Sequence, residues 1–202
     1  MIRKWSDVDM IVVFGGSFNP PTIAHYQIAK HILKQTDCEQ FFFLPVGNQY
    51  PKKGLISSAH RVAMLNLVCE QLQHASVSTL EVEANHVLTS FETLSLMKKQ
   101  YPTQEIAFVI GADNLEDLHN WVQYEQLIKH FKLIVFRRDD IEVDHIIANQ
   151  FEKYKNQFIV LNSFGKMDVS STQYRENLDR SNLVLESVDH YIKQHQLYGR
   201  GE

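Results

Sequence analysis

The chain has 202 residues, 44% of them hydrophobic and 22% charged, which fits one globular domain with a substantial core. Its formal net charge of −4 excludes the basic field of a protein that coats nucleic acid, so we expect no nucleic-acid partner. No apolar run approaches the ~18 residues of a membrane helix, and the charged N-terminus lacks a signal-peptide core. We therefore expect a cytoplasmic protein without a membrane partner, in which Cys38 and Cys69 are reduced.

Six short runs rich in β-branched and aromatic residues are predicted strands, and they alternate with stretches of helical periodicity. The predicted strands span 10–14, 40–46, 76–82, 105–111, 132–136 and 157–161. The predicted helices span 23–35, 59–73, 90–100, 123–130, 142–154 and 183–195. Most strand runs are continuously apolar, as in strands covered on both faces, whereas 76–82 alternates and is expected near an edge.

This alternation predicts an α/β fold with a doubly wound, Rossmann-like parallel sheet and helices on both faces. We expect a single domain over residues 1–202, with a small C-terminal helical part at about 165–202. Ligands of such sheets bind beyond the carboxyl ends of the strands. The segments that follow the strands are rich in glycine, hydroxyl and charged groups, which predicts a phosphate site. Their charged residues are Lys52, Lys53, Asp113, Arg137, Arg138 and Arg175.

The segment after the first strand, "GGSFNPPTIAH" at 15–25, lacks both the P-loop Lys-Ser/Thr and the three-glycine dinucleotide fingerprint. Pro20 and Pro21 have no N–H to offer a phosphate, so they are expected to stiffen the loop. Gly15 and Gly16 are expected to leave room for a ligand to approach the backbone.

Thr22 is a suitable N-cap for a helix that begins at Ile23, and His25 falls in the first turn of that helix. The periodicity puts His25 at the N-terminal end of the stripe that faces the sheet. Helix N–H groups and an imidazole side by side favour a polyphosphate ligand. A plain cap with a surface histidine is the alternative.

This loop resembles the (H/T)xGH signature of the nucleotidylyltransferase superfamily, whose loop and histidine hold the phosphates of ATP or CTP. Thr22 stands at the first position of the signature, and Ala24 replaces its glycine. "SSTQYR" at 170–175 resembles the SSTxxR signature of the pyridine mononucleotide adenylyltransferases. "GADNLEDLHNW" at 111–121 is similar to a segment of bacterial nicotinate-nucleotide adenylyltransferases that holds a ribose and places a tryptophan against the pyridine ring.

The resemblance implies roles for particular residues of this chain. The catalytic residues would be His25, Arg175 and Thr22. The ATP and phosphate contacts would be Gly15, Gly16, Ser17, Phe18, Lys53, Gly111, Asp113, Arg138, Ser170, Ser171 and Thr172. The mononucleotide contacts would be Asn19, Ser90 and Trp121.

Several of these residues also admit a purely structural role. Ser170 and Gln173 form a capping-box pattern, and Asp113 begins a second one, "DNLE". Trp121 follows Leu118 by three residues, so it is either core or a stacking partner for a pyridinium ring. The usual PPH before the loop lysine is YPK here, which leaves the choice between Lys52 and Lys53 open.

The implied reaction joins ATP to a pyridine mononucleotide and releases pyrophosphate. The attacking phosphate is already ionised at neutral pH, so no general base is required. We expect Mg²⁺ to arrive with ATP, because the chain has no metal-ligand motif. Expected partners are these small-molecule substrates, and a homo-oligomer is left open.

The leading interpretation is a nicotinate mononucleotide adenylyltransferase that makes deamido-NAD. An NMN or dual-specificity enzyme is the first alternative, because "GSFNPPT" resembles the eukaryotic NMN-using members. A pantetheine-phosphate adenylyltransferase or a cytidylyltransferase would leave "GADN", Trp121 and "SSTQYR" unexplained. A non-catalytic nucleotide-binding module is the alternative of another class, motivated by Ala24 and the missing PPH.

Overall fold

A computed structural model describes residues 10–36, 38–137, 141–162, 169–176 and 181–199. The strands are β1 (Met10–Gly16), β2 (Cys38–Pro45), β3 (Ala75–Val77), β4 (Glu105–Gly111), β5 (Lys132–Phe136) and β6 (Phe158–Leu161). The α-helices are α1 (Ile23–Gln35), α2 (Ser58–Cys69), α3 (Leu80–Glu83), α4 (Ser90–Gln100), α5 (Ala112–Glu116), α6 (Tyr124–His130), α7 (Val143–Gln150), α8 (Ser171–Glu176) and α9 (Glu186–Gln194). Short 3₁₀ helices lie at Leu118–Asn120, Glu152–Gln157, Ser181–Leu183 and Leu197–Gly199.

The six strands form one parallel sheet in the order β3-β2-β1-β4-β5-β6, which confirms the doubly wound α/β prediction. The chain leaves β1 toward β2 on one side and later returns to β4 on the other. This reversal opens a crevice beyond the carboxyl ends of β1 and β4. The sheet therefore brings the loop after Gly16 close to the segment that begins at Gly111.

Two cores cover the faces of the sheet, and successive residues of β1 supply opposite ones. Val12 packs in the core with α1, α2 and α9, whereas Val13 packs in the core with α4, α6 and α7. Both side chains are fully buried, and burying one such side chain stabilises the fold by about 1.5–3 kcal/mol. Continuous apolar strand runs follow directly from this two-sided burial.

The strand predicted at 76–82 is wrong for most of its length, although its edge position is confirmed. β3 spans only Ala75–Val77 and pairs with β2 alone, and the chain then enters α3. Thr79 explains the switch, because its carbonyl accepts the amide of Glu83 and its hydroxyl donates to the Glu83 carboxylate. Such local hydrogen bonds compete with a strand that has one neighbour.

Several helix boundaries also differ from the predicted ones. The helix predicted at 59–73 ends at Cys69, and that at 142–154 divides into α7 and the 3₁₀ helix Glu152–Gln157. The helix predicted at 183–195 is α9 preceded by the 3₁₀ turn at Ser181–Leu183. Within the described part of the predicted C-terminal helical region, Tyr174 of α8 donates to Asp189 of α9 over 2.9 Å. The single-domain boundary stays a prediction.

Cys38 and Cys69 are free thiols, as expected, and burial raises their pKa to about 11 and about 12. Within the described ranges, no helix has the length and apolarity that a bilayer crossing requires.

Candidate active site

The loop after β1 packs on aromatic side chains. Phe18 has a positive φ of 44°, and its ring is 2% exposed beneath the loop. The ring centroid lies 5.0 Å from that of His25 and 5.6 Å from that of Phe43. The Phe18 ring therefore packs against His25 and helps to hold the imidazole in place.

The two glycines serve packing in a way that the sequence did not indicate. A Cβ on Gly15 would lie 2.9 Å from Phe108 Cζ, and one on Gly16 would lie 3.1 Å from Phe18 Cζ. We expected these positions to leave room for a ligand, but aromatic rings of the protein take the space of the missing side chains. A phosphate contact by the glycine backbone remains a prediction.

Thr22 and His25 form a capping box at the start of α1, which confirms Thr22 as the N-cap. The Thr22 N–H donates to His25 Nδ1 over 2.8 Å, and Thr22 Oγ1 also lies 2.8 Å from this nitrogen. Since Nδ1 accepts, the proton of the neutral ring is on Nε2, which can donate to a ligand. Burial lowers the pKa of His25 from 6.5 to about 4, so the ring is neutral at neutral pH in the ligand-free protein.

Lys52 and Arg175 lie against the same loop from two distant parts of the chain. Lys52 Nζ donates to Ser17 Oγ over 2.9 Å, and Arg175 Nη1 donates to the Asn19 carbonyl over 2.6 Å. Partial burial and the neighbouring Arg175 charge lower the pKa of Lys52. Lys53, the lysine that we predicted, is exposed like Lys52, but its side chain forms no hydrogen bond or ion pair with the loop among the residues that the structure describes. The geometry therefore favours Lys52 over Lys53.

Arg61 is a third cation at the loop, and sequence reasoning missed it. Its guanidinium is completely buried and donates to the carbonyls of Ser17, Val46 and Ile56 at 3.1, 2.7 and 3.0 Å. An arginine in an amphipathic helix usually extends into solvent, so the pattern of α2 gave no sign of this role. Among the residues that the structure describes, neither Arg61, Lys52 nor Arg175 pairs with a carboxylate.

The second signature segment lies against the first. Ser170 and Gln173 form the predicted capping box, with hydrogen bonds of 2.7 and 3.1 Å. Ser171 Oγ donates to the Pro20 carbonyl over 2.8 Å. Thr172 Oγ1 accepts from Arg175 Nη2 over 3.0 Å. The fold therefore brings both signatures together, as the resemblance implies.

Asn19 faces the protein instead of the crevice, which argues against the predicted mononucleotide contact. Its side chain is 1% exposed and bonds to Gly54, Ile56 and Tyr198. The geometry assigns Asn19 a structural role in holding the loop.

Outside the loop after β1 lie the predicted ATP contacts Gly111 and Asp113 and the predicted mononucleotide contact Ser90. Gly111 is the N-cap of α5, and the Asp113 carboxylate packs over its Cα. Asp113 is exposed at the second helical position, so it is not the N-cap that the D-x-x-E pattern indicated. Ser90 is the first residue of α4, after the N-cap Thr89.

Trp121 is half-buried, with its centroid 6.4 Å from that of Phe108 at an angle of 71°. Because Phe108 also packs under Gly15, one ring connects Trp121 to the loop after β1. Arg137 forms an ion pair of 2.6 Å with Asp144, which offsets its charge, and Arg138 lies outside the described residues. In the described ranges, no group of three His, Cys, Asp or Glu side chains is arranged to hold a metal.

Comparisons with known proteins agree with this arrangement. The sequence profile described as cytidylyltransferase-like matches residues 13–177. A probable nicotinate-nucleotide adenylyltransferase of Acholeplasma laidlawii is 33% identical, over 94% of this chain and 97% of its own length. A protein of the same description from Carboxydothermus hydrogenoformans is 31% identical, over 93% of this chain and 97% of its own length.

Solved structures show the same fold. The nicotinic acid mononucleotide adenylyltransferase of Plasmodium falciparum, complexed with NaAD, superposes with a TM-score of 0.82. It is 20% identical, and the match covers 96% of this chain and 98% of that one. The profile match and the two bacterial relatives, together with the meeting of both signatures at one loop, show that this chain belongs to the cytidylyltransferase-like family, among the nicotinate-nucleotide adenylyltransferases.

Proposed function

We propose that this protein transfers the adenylyl group of ATP to nicotinate mononucleotide. A phosphate oxygen of the mononucleotide attacks the α-phosphorus of ATP, and the bond from that phosphorus to the bridging oxygen of the β-phosphate breaks. The products are nicotinate adenine dinucleotide and pyrophosphate. This reaction is a step in NAD biosynthesis. The relatives at 33% and 31% identity support this activity, because both are described as nicotinate-nucleotide adenylyltransferases.

One observation carries the proposal within this structure. Lys52, Arg61 and Arg175 surround the loop 17–22, and none of them has a carboxylate partner among the described residues. Uncompensated cations beside a helix N-terminus suit a polyphosphate, whose charge they stabilise as pyrophosphate leaves.

His25 has the central role in this mechanism. Its Nε2–H donates to a phosphate oxygen, while Thr22 holds Nδ1 and fixes the ring. The negative charge of bound ATP raises the pKa of the imidazole toward its ordinary value. The ring stabilises the transferred group by hydrogen bonding, and no proton needs to be removed from the attacking phosphate.

The remaining substrate contacts are assigned from position. The half-buried Trp121 is suited to stacking on the pyridine ring, Ser90 at the start of α4 is assigned to the mononucleotide, and Asp113 is assigned to a ribose hydroxyl. Solved structures of the Plasmodium falciparum neighbour complexed with NaAD and with the ATP analogue APC support binding of an adenine dinucleotide and of ATP by this fold. Mg²⁺ enters as part of the ATP substrate, bound by phosphate oxygens and water.

The test is pyrophosphate release from Mg²⁺ and ATP, measured in parallel with nicotinate mononucleotide and with NMN. We expect turnover with nicotinate mononucleotide and much slower turnover with NMN. Comparable rates would make the protein a dual-specificity enzyme, and no release with either substrate would overturn the activity. The cytoplasmic location stays a prediction, and the oligomeric state stays open.

A further inference from the structure

The Asn19 side chain joins three segments of the chain at one point. Its Nδ2 donates to the Gly54 carbonyl over 2.8 Å, and its Oδ1 accepts from the Ile56 N–H at 3.3 Å. The Tyr198 hydroxyl donates to the same Oδ1 over 2.9 Å, from a residue 179 positions away. The loop after β1, the 50–56 segment and the C-terminal 3₁₀ turn therefore meet at this amide.

The orientation of this amide is fixed by its backbone partners. The Gly54 carbonyl can only accept and the Ile56 N–H can only donate, so Nδ2 must face Gly54 and Oδ1 must face Ile56. The Tyr198 hydroxyl donates the second hydrogen bond that Asn19 Oδ1 accepts. Burial raises the pKa of the Tyr198 phenol, which keeps the hydroxyl protonated as a donor at physiological pH.

Besides Asn19, the 50–56 segment is held by Arg61, which donates to the Ile56 carbonyl, and by a bond within the segment from the Lys52 N–H to the Tyr50 carbonyl. Residues 50–54 are all exposed, so they have little apolar packing to fix their backbone. The segment nevertheless carries Lys52, whose Nζ reaches Ser17 Oγ on the loop after β1. The hydrogen bonds from Asn19 to Gly54 and Ile56 therefore contribute to the position of this lysine.

We infer that Tyr198 is a positioning residue for adenylyl transfer, which acts through Asn19 on the segment that presents Lys52 to the phosphates. The inference rests on the proposed function for its kinetic consequence. The C-terminal turn at Leu197–Gly199 is thereby part of the phosphate site without touching the substrate.

Tyr198→Phe tests this inference by removing the donor while keeping the ring. Tyr191→Phe is the matched control, because its hydroxyl lies 2.9 Å from His60 Nδ1, outside the loop contacts. In Tyr198→Phe we expect amide exchange of the 50–56 segment to become about threefold to tenfold faster, as loss of one buried hydrogen bond permits. The control should leave this exchange unchanged.

The kinetic test measures Tyr198→Phe in the otherwise unchanged protein and in a protein that already carries Lys52→Ala. We expect Tyr198→Phe to lower kcat/KM for ATP by about twofold to fivefold in the otherwise unchanged protein, no more than removal of Lys52 itself would cost. The loss should largely vanish when Lys52→Ala is already present, because the lysine that Tyr198 positions is then gone. A merely structural tyrosine would instead give the same loss in both backgrounds.

Unchanged exchange at 50–56 in Tyr198→Phe would overturn the inference, and so would equal kinetic losses in both backgrounds. Faster exchange confined to that segment, together with the non-additive kinetics, would support it. Failure of the proposed function is distinguishable, because the unchanged protein would then release no pyrophosphate while the exchange measurement still decides the role of Tyr198.

Discussion

The two sides of the crevice are built differently. We call loop 17–22 and His25, with Lys52, Arg61 and Arg175, the phosphate side, and we call Ser90 and Trp121 the pyridine side. The phosphate side is held by hydrogen bonds from residues that are distant in sequence, such as Arg175 at 156 positions and Tyr198 at 179 positions from Asn19. The pyridine side is held by a local helix cap and by ring packing, as between Trp121 and Phe108.

This difference follows from what each side has to do. Charge stabilisation requires donors that are in place before the reaction, since reorganising them would add to the barrier. An apolar ring needs a surface, and stacking tolerates small adjustments of that surface. We therefore expect substitutions on the phosphate side to affect the chemical step, and those on the pyridine side to affect binding of one substrate.

His25→Ala should have the largest effect. Loss of a preorganised donor to the transferred phosphates is expected to lower kcat by about 100-fold or more. Steady-state pyrophosphate release measures this change, and circular dichroism checks the fold. His31→Ala is a matched control on the same helix, because its ring packs against Phe136 away from the loop. Near-normal kcat in His25→Ala would contradict the assignment of the phosphate side.

Trp121→Ala should raise KM for the mononucleotide by about 20-fold, the effect of losing one stacked ring. KM for ATP should stay within about twofold, because the phosphate side is untouched. Trp121→Phe keeps an aromatic face and should recover most of the affinity. Equal losses for both substrates would instead indicate that Trp121 acts by packing on Phe108.

Lys52 and Lys53 are adjacent, so alanine substitutions at the two positions show which lysine contacts the phosphates. Lys52→Ala should lower kcat/KM for ATP by about fivefold, a modest loss because the side chain is exposed and its charge is screened. Lys53→Ala should leave kcat/KM unchanged. The reverse result would restore Lys53, the residue that the sequence had suggested, as the phosphate ligand.

Local features of this molecule could be read from the sequence. Runs such as "MIVVF" and "KLIVF" are strands buried on both faces, and Thr22 is an N-cap, because each property depends on nearby residues. The prediction of a strand at 76–82 was wrong because Thr79 and Glu83 form a local hydrogen bond, which the alternating pattern does not indicate.

The contacts that complete the site could not be read in this way. Arg61 looks like the polar face of a helix, and Tyr198 looks like a terminal surface residue. Their roles arise only when the fold brings Ser17 within reach of Arg61, 44 positions away, and Asn19 within reach of Tyr198. Family resemblance supplied His25 and Arg175, but it gave no role to either of these two residues.

A last contrast concerns the pH dependence of stability, because burial shifts the pKa of His25 on α1 and of Glu81, which contacts α4, in opposite directions. Burial lowers the pKa of His25 from 6.5 to about 4, and it raises the pKa of Glu81 from 4.5 to about 6. Glu81 accepts a hydrogen bond of 2.8 Å from Thr93 on α4, the helix that begins with Ser90. Relative to the unfolded chain, the folded protein binds fewer protons at His25 and more at Glu81.

These two groups therefore shift stability in opposite directions. As pH falls from about 6.5 toward 4, His25 should lower the free energy of unfolding by about 2–3 kcal/mol, because only the unfolded chain takes up the proton readily. As pH rises from about 4.5 to 6, Glu81 should lower it by about 1 kcal/mol, because the unfolded carboxyl ionises first.

Urea unfolding between pH 4.5 and 7.5 measures the free energy of unfolding of the ligand-free protein and of the variants His25→Gln and Glu81→Gln. Comparing each variant with the unchanged protein distinguishes the contribution of His25 from that of Glu81. The stability advantage of the unchanged protein over His25→Gln should grow with pH, since the neutral amide does not titrate. Its advantage over Glu81→Gln should shrink with pH for the same reason. Two differences of the same sign would mean that burial does not control both groups, and the contrast between the two sides would then be limited to their hydrogen bonds.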